Sequence, residues 1–579
     1  MKDRSILTDY VQKHWRYYLL AVSLIILSNI GQAAIPRVLG QFTDALLNGG
    51  IQYQMIIEYS LILAGIGIMY NLFFGAGQFT VMRLGRKFEF EMRQSLFSKF
   101  STLSEYYFSK QGTGKLLSSM TNDVNSVRES ISNGVTMTTN AIFLFLSCIV
   151  MMLLSHIPLY LILVSVVPMV GIPFLVIYFG PRIRKRSQNV QESLAVMTES
   201  AEEQLSGIRV TKTFAIEPTA RQRFGTTVNH IRDNQLHLVR MSSLFQAAVP
   251  FLGALSLVIS LLYGGYLTIQ GTITIGNFIA LTLYLRIMSG PLQQIGNVIN
   301  MMQRSGASLD RVNRLLAEKP DIEDHPDAQP LASTPDLKIE HLSFAYPGSE
   351  RYALSDINLH IEAGQTVGIV GKTGSGKSTL VKLLLRLYDP PENTVWLGGT
   401  DIRQISLQSL RSRIAYVPQD GFLFSTTIRD NIAFSDRNTP LEKVEDHARQ
   451  AMIYEPISNF PEGFDTKLGE RGITLSGGQR QRTSLARGLV KKGPILILDD
   501  SMSAVDAVTE TGILNNLIRE RDQYTNLIIS HRISAVKHAD LIIVLDEGTI
   551  VQQGTHQQLL QQQGIYSSLY QLQEEGLRA

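Results

Sequence analysis

The sequence predicts two domains of different class: an all-α domain of six membrane-spanning helices over residues 1–317, and an α/β domain over residues 337–579. Three observations carry this. Apolar stretches are confined to the first half, strand-like and helix-like runs alternate in the second, and a glycine-rich loop at 371–378 stands between a strand-like run and an amphipathic helix.

A chain of 579 residues exceeds one ordinary domain. With 45% hydrophobic and only 18% charged residues, it is apolar for a soluble protein of this size. A net charge of +3 is too small to argue for a nucleic-acid partner. The single cysteine, Cys148, excludes an internal disulfide framework and a cysteine-rich metal cluster. Within LFLSCIV it reads as a buried apolar thiol. The start, MKDRSILTDYVQKHW, lacks the short apolar core and small-residue site of a cleaved signal peptide.

The apolar stretches cover about 17–40, 57–80, 134–155, 157–179, 244–268 and 275–298, each near the 20 residues that cross a bilayer. The third and fourth are separated by Ser155-His156-Ile157-Pro158, a tight turn. Basic residues set the orientation. Arg83, Arg86, Lys87, Arg93, Lys99, Lys110 and Lys115 lie between spans two and three; Arg182, Arg184, Lys185, Arg186, Arg209 and Lys212 lie between four and five. The turns SHIP and TIQGTITIG have no Lys or Arg. Both long segments, the amino terminus and everything after span six are therefore predicted to be cytoplasmic. Their helical composition implies that the spans continue past the membrane, at about 1.5 Å per residue.

Each long segment contains a polar break. The first, SKQGTGKLLSSMTNDVNSV, has Gly112, Gly114 and Asp123; the second, TKTFAIEPTARQRF, has Phe214, Glu217 and Pro218. Each is either a helix-to-helix turn or a short cytosolic helix that touches another domain. Arg286, inside span six, is costly in a bilayer and is expected to face a cavity, with snorkelling as the competing reading. Pro36, Pro168, Pro173, Pro250 and Pro291 can kink their helices where neighbours satisfy the freed carbonyls.

Residues 318–336, EKPDIEDHPDAQPLASTPD, have a linker composition. Beyond them the run GIVGKTGSGKSTLVKLLL contains the complete G-x-x-x-x-G-K-[ST] pattern: Gly371, Lys372, Thr373, Gly374, Ser375, Gly376, Lys377 and Ser378, followed by Thr379. Its glycines let backbone N–H groups surround phosphate oxygens at a helix amino terminus. Lys377 is the counter-charge for the β- and γ-phosphates, and Ser378 a ligand for Mg²⁺. The stretch LILDDSMSAVD then places Asp499 at the end of an apolar strand, where such proteins anchor Mg²⁺. Asp500 follows, in place to orient and deprotonate the attacking water. The string LSGGQRQR adds Ser476, Gly477, Gly478 and Gln479, a hydroxyl and bare N–H groups before a helix, or simply a flexible turn.

These strings in this order resemble an ATP-binding cassette (ABC) exporter half-transporter over almost the full chain. The resemblance implies that Tyr346 of SFAYPG stacks on adenine, and that Gln419 of VPQD senses Mg²⁺ and the membrane domain. It likewise implies that LGERG is a cross-domain contact loop, that Asp506 closes a dimer-contact loop, and that His531 of ISHR senses the γ-phosphate. The polar breaks become coupling helices on nucleotide-binding domains. ATP and Mg²⁺ are the implied cofactors, a second half-transporter and the bilayer the partners. A hydrophobic small molecule is the implied cargo and the cell membrane the location.

One position departs from the pattern. Most active members carry Glu after the metal-binding Asp; Asp500 is one methylene shorter, about 1.5 Å of reach. This resembles the Asp-bearing subunit of heterodimeric bacterial multidrug exporters, whose own site is slow. General-base catalysis is worth about 10²–10⁴-fold, so reach matters; backbone adjustment that lets Asp500 act as a slow base is the alternative. The expected function is ATP-driven efflux of hydrophobic or amphipathic compounds, by a heterodimer before a homodimer. A lipid or lipid-precursor flippase is the alternative on the same fold. An ATP-gated regulatory membrane subunit with little turnover is the alternative of another class.

Overall fold

The computed structural model describes residues 6–49, 53–331, 335–469, 472, 474–520 and 524–578. The chain forms two compact units. One runs to Thr102 and resumes from Gln111 to Glu318; the other joins Leu103–Lys110 to the chain from Lys319 onward.

Among the described residues of the first unit, six helices are long and apolar enough to cross a membrane: Trp15–Leu47, Tyr53–Phe100, Thr113–Leu154, Leu159–Ser206, Glu217–Ile269 and Ile275–Ala317. Each apolar stretch predicted from the sequence falls in a different one of them, the third and fourth overrunning their helices by one and two residues at the turn between them. The second helix has 48 residues, about 70 Å at the α-helical rise, against about 30 Å of bilayer hydrocarbon. Spans three and four part at Ser155-His156-Ile157-Pro158, where His156 is left-handed (φ 56°) and Ile157 N–H donates to Met152 O at 3.2 Å. Pro36, Pro168, Pro173, Pro250 and Pro291 all lie inside helices.

The first polar break differs from the sequence expectation. The chain turns at 101–104 and again at Gly112 (φ 76°), which frees Glu105–Gln111 as a short helix. Gly114, expected to interrupt, is helical instead, and so is Asp123 of the same polar break. Gly114 falls in a first helical turn, where its cost is small. Asp123 lies in a π-turn, Ser119–Asp123, and its charge is met from span six. Arg311 donates to it at 2.5 and 3.0 Å, and Ser308 Oγ at 2.9 Å. The second break is a turn after the short helix Ile208–Thr213; Pro218 then occupies the first turn of Glu217–Ile259, and Phe214 is exposed.

The second unit is built on two sheets. Strands β1 (Leu337–Phe344), β2 (Leu354–Ile361), β4 (Val395–Leu397) and β5 (Thr400–Asp401) form an antiparallel sheet in the order β2-β1-β4-β5. The larger sheet has the order β10-β9-β3-β8-β7-β6, with β3 (Thr366–Gly371), β6 (Ile414–Val417), β7 (Ile495–Asp499), β8 (Thr525–Ile529), β9 (Leu541–Asp546) and β10 (Thr549–Gly554). All its pairings are parallel except β9 with β10. β7 and β8 are buried along their whole length, as strands covered on both faces are. Period-two alternation divides β7 between two cores: Leu496 and Leu498 face one, Ile495 and Ile497 the other.

The 318–336 segment is not a loose tether where it is described. Gln329 N–H donates to Gln404 O at 2.8 Å, Leu407 N–H to Asp324 at 2.7 Å, and Leu331 N–H to Ser409 Oγ at 2.8 Å. The guanidinium of Arg386, fully buried, reaches Glu323 O at 3.2 Å and Asp389 at 2.8 Å. Proline interrupts helix here, yet the freed backbone finds partners in the domain.

Candidate functional site

Four loops of the larger sheet converge because β3, β8, β7 and β6 are parallel neighbours and therefore present their carboxyl ends at one edge. The glycine-rich loop leaves β3, His531 follows β8, Asp499 and Asp500 end β7, and Gln419 follows β6.

Lys377 opens the helix Lys377–Leu384, and its buried ammonium donates to Gly371 O at 2.8 Å and Lys372 O at 2.9 Å. Burial lowers its pKa, opposed by the nearby Asp500 and Asp499 carboxylates. A phosphate would add a counter-charge in direct contact with this ammonium, whose shortest hydrogen bonds here go to backbone carbonyls. Gly376 (φ 102°) is required by shape, since a Cβ there would lie 2.7 Å from Ala353 O. Ser378 Oγ stands 3.3 Å from Asp499 Oδ1. Burial raises the Asp499 pKa, aided by Asp500 and opposed by Ser378, Tyr416 and Lys377. Hydroxyl, carboxylate and amide oxygen are hard donors, so Ser378, Asp499 and Gln419 suit Mg²⁺.

Asp500 is half-buried and left-handed (φ 44°), a conformation that Asp tolerates better than most residues. Its N–H donates to Ile529 O at 2.9 Å, and its carboxylate accepts Gln419 Nε2 at 3.3 Å. The His531 ring is exposed and makes no hydrogen bond among the described residues. Tyr346 is fixed by its hydroxyl, 3.0 Å from Thr379 Oγ1, and by edge contacts with Phe344 and Tyr388.

The LSGGQ stretch is a capped helix start and not a flexible turn. Ser476 Oγ accepts Gln479 N–H at 3.3 Å while Gln479 Oε1 accepts Ser476 N–H at 2.9 Å, opening the helix Gly477–Val490. Asp506 is exposed and accepts Thr509 N–H at 3.4 Å. Of LGERG, Glu470 and Arg471 lie outside the described residues. Arg286 is exposed, without a side-chain partner among the described residues, on the face away from buried Leu281, Tyr284, Leu285 and Met288.

Several residues near these loops were not legible in the sequence. Tyr416 reaches Asp499 Oδ2 at 3.5 Å; burial and that carboxylate push its phenol up. The alternation AYV marks only a strand. Glu105, on the short helix Glu105–Gln111 that leads into the first break, accepts Lys382 Nζ at 2.7 Å, and Tyr106 meets Tyr388 edge-on at 6.5 Å between centroids. No spacing rule links positions so far apart in the chain.

Comparison with known proteins agrees with this architecture. Residues 18–292 match the ABC transporter transmembrane region family, and residues 354–503 the ABC transporter family. A probable multidrug resistance ABC transporter ATP-binding/permease protein of Bacillus subtilis, YheI, is 34% identical, covering 98% of this chain and 96% of its own. The multidrug resistance-like ATP-binding protein MdlA of Escherichia coli is 31% identical over 98% of this chain and 96% of its own. An ATP-dependent lipid A-core flippase of Syntrophus aciditrophicus is 35% identical over 85% and 81%. The solved structure of a bacterial Atm1-family ABC exporter with ATP bound superimposes with a TM-score of 0.79 at 26% identity, covering 96% of this chain and 99% of that one. The matched regions make the chain a multi-pass membrane protein with a cytoplasmic, ATP-hydrolysing domain. The chain belongs to the ABC transporter family, as an exporter that carries its transmembrane and ATP-binding domains in one polypeptide.

Proposed function

We propose that this chain is one half of an asymmetric heterodimer that uses ATP to expel hydrophobic or amphipathic compounds. In this reading Tyr346 stacks on adenine, residues 371–379 hold the phosphates, and Ser378, Gln419 and Asp499 hold Mg²⁺. The ion neutralises charge that develops on the phosphates. Asp500 orients the attacking water and accepts its proton, and His531 contacts the γ-phosphate. Ser476, Gly477, Gly478 and Gln479 face the ATP of the partner subunit, with Asp506 at the contact between the two. Arg286 lines the cargo cavity.

The observation that carries the asymmetry is Asp500. Its backbone is pinned to Ile529 O and its short side chain is engaged by Gln419, so neither adjusts freely to recover the missing methylene. The site formed on this chain's phosphate loop therefore holds ATP and turns over slowly. Its intact LSGGQ completes a fast site on the partner. The multidrug names of two relatives support the cargo class. ATP-dependent dye accumulation in inverted vesicles from cells expressing the complex tests export. Headgroup-specific lipid translocation without dye uptake would favour flipping, and ATP binding with neither activity a regulatory subunit.

A further inference from the structure

Strand β8 carries an asparagine on a face that is otherwise leucine and isoleucine. Asn526 and Ile528 lie on one face of β8, in register with Leu496 and Leu498 of β7, and those three neighbours are ordinary core residues. Asn is disfavoured in strands, and a buried amide needs partners at both of its ends. Its Nδ2 has them, donating to Tyr524 O at 3.0 Å and to Thr366 Oγ1 at 3.2 Å. A carbonyl can only accept, so Tyr524 O fixes which way the amide is turned. Oδ1 then has no hydrogen-bond partner among the described residues, although Asn526 is only 9% exposed.

Asn526 lines a crevice of about 130 Å³ within the nucleotide-binding unit. Its walls are Leu496, Leu498 and Ile528 of the sheet and Leu514 and Leu517 of the helix Ala507–Glu520. Ala535 and Ala539, both small, leave the room. Leu514, Leu517 and Ile528 each keep 7% exposure, whereas Ile513 and Val536 keep none, so the space is open to solvent. The exposed residues Ile518 and His538 mark its mouth. Thr366 and Asn526 stand at the amino ends of β3 and β8, the edge away from the phosphate loop. Gly371 is five residues along β3, roughly 16 Å at the strand rise.

An apolar cavity of about 150 Å³ takes up benzene, so this crevice has room for a single small ring. The unpaired acceptor selects what that ring carries, namely one O–H or N–H donor. Asp540 lines the rim, where its carboxylate accepts Thr366 N–H at 2.8 Å, and it disfavours an anion. The leucine walls disfavour any charge. We propose that this crevice is a binding site for a neutral, ring-sized apolar molecule with one hydrogen-bond donor, phenol being the simplest example. Occupancy joins β7 and β8 to the helix Ala507–Glu520 and stabilises the folded domain by mass action. The site is separate from the nucleotide edge and independent of the roles given to Asp500 and to the cargo.

The test follows backbone amide exchange of the full-length chain in lipid nanodiscs. Phenol, or benzene as the same ring without a donor, is titrated at matched free concentrations. Phenol should slow exchange saturably over residues 513–518 and 525–528 and leave 371–379 unchanged. It should half-saturate about fivefold to tenfold below benzene, the worth of a neutral hydrogen bond to a buried acceptor. A purely apolar cavity would favour benzene instead, because the phenol hydroxyl would lose its water unpaid. Asn526→Leu removes the acceptor and should invert the order; Leu517→Phe fills the space and should abolish both effects. If Asn526→Leu does not fold, the order in the unmodified chain and the loss in Leu517→Phe decide the matter. Benzene matching phenol in the unmodified chain, or a phenol preference that survives Asn526→Leu, would overturn the proposal. So would slowing that never saturates, spreads over the whole chain or survives Leu517→Phe. No slowing by either probe would mean that the crevice takes only water, which overturns it as well.

Discussion

Asp499 and Asp500 are adjacent and identical in chemistry, yet their surroundings differ. Asp499 ends a buried strand beside Ser378, where a divalent ion would relieve the burial that raises its pKa. Asp500 turns out of the strand, and among the described residues its carboxylate is hydrogen-bonded by the Gln419 side chain. Lengthening it should restore reach, so Asp500→Glu is expected to raise single-turnover hydrolysis at this site by about 10-fold or more, within the range of general-base effects. Rapid-quench measurement on the complex would show it, and an unchanged rate would mean that reach does not limit this site. Lys377→Ala should abolish ATP-driven transport while leaving the membrane helices folded, because it removes a phosphate counter-charge far from them. Circular dichroism with vesicle transport checks both halves of that statement. That both carboxylates and the lysine stand together was legible in the sequence, because the motifs that hold them have particular residue types at short spacing. The place of Tyr416 was not, since its partner is brought to it only by strand order.

At the scale of elements, hydropathy located the spans well because a bilayer tolerates no unsatisfied backbone. The breaks between cytosolic helices were placed less well. Gly114 and the Thr121-Asn122-Asp123 run read as a break, but tertiary pairing of Asp123 with Arg311 overrode local propensity. The linker composition could not show how the segment's backbone is satisfied, since Arg386 and backbone pairing tie residues 323–331 down. Arg386→Ala removes its bonds to Glu323 O, Ile405 O and Asp389, and is expected to destabilise the nucleotide-binding unit by about 3 kcal/mol. Differential scanning calorimetry of the full chain in detergent would show the lowered transition. Within span six, Arg286→Ala should change the cargo profile or apparent affinity more than basal ATPase. A Cys at 286 that reacts with membrane-embedded reagents as readily as a lipid-facing neighbour would show that the side chain faces lipid instead.

For the whole molecule, the order of motifs along the chain announced an exporter with both domains in one polypeptide, and the family matches agree. What the order could not convey is how β3, β8, β7 and β6 line up, which is what gathers distant motifs at one edge. The central claim is that this chain supplies a slow ATP site and a competent LSGGQ to a different partner. The most direct measurement is steady-state ATPase of the purified chain alone and with its co-purified partner, each with and without Asp500→Asn. The account predicts weak turnover alone, strong turnover in the complex, and only a modest loss there from Asp500→Asn. Robust cooperative ATPase from this chain alone, abolished by Asp500→Asn, would contradict it and make Asp500 the working base of a homodimer.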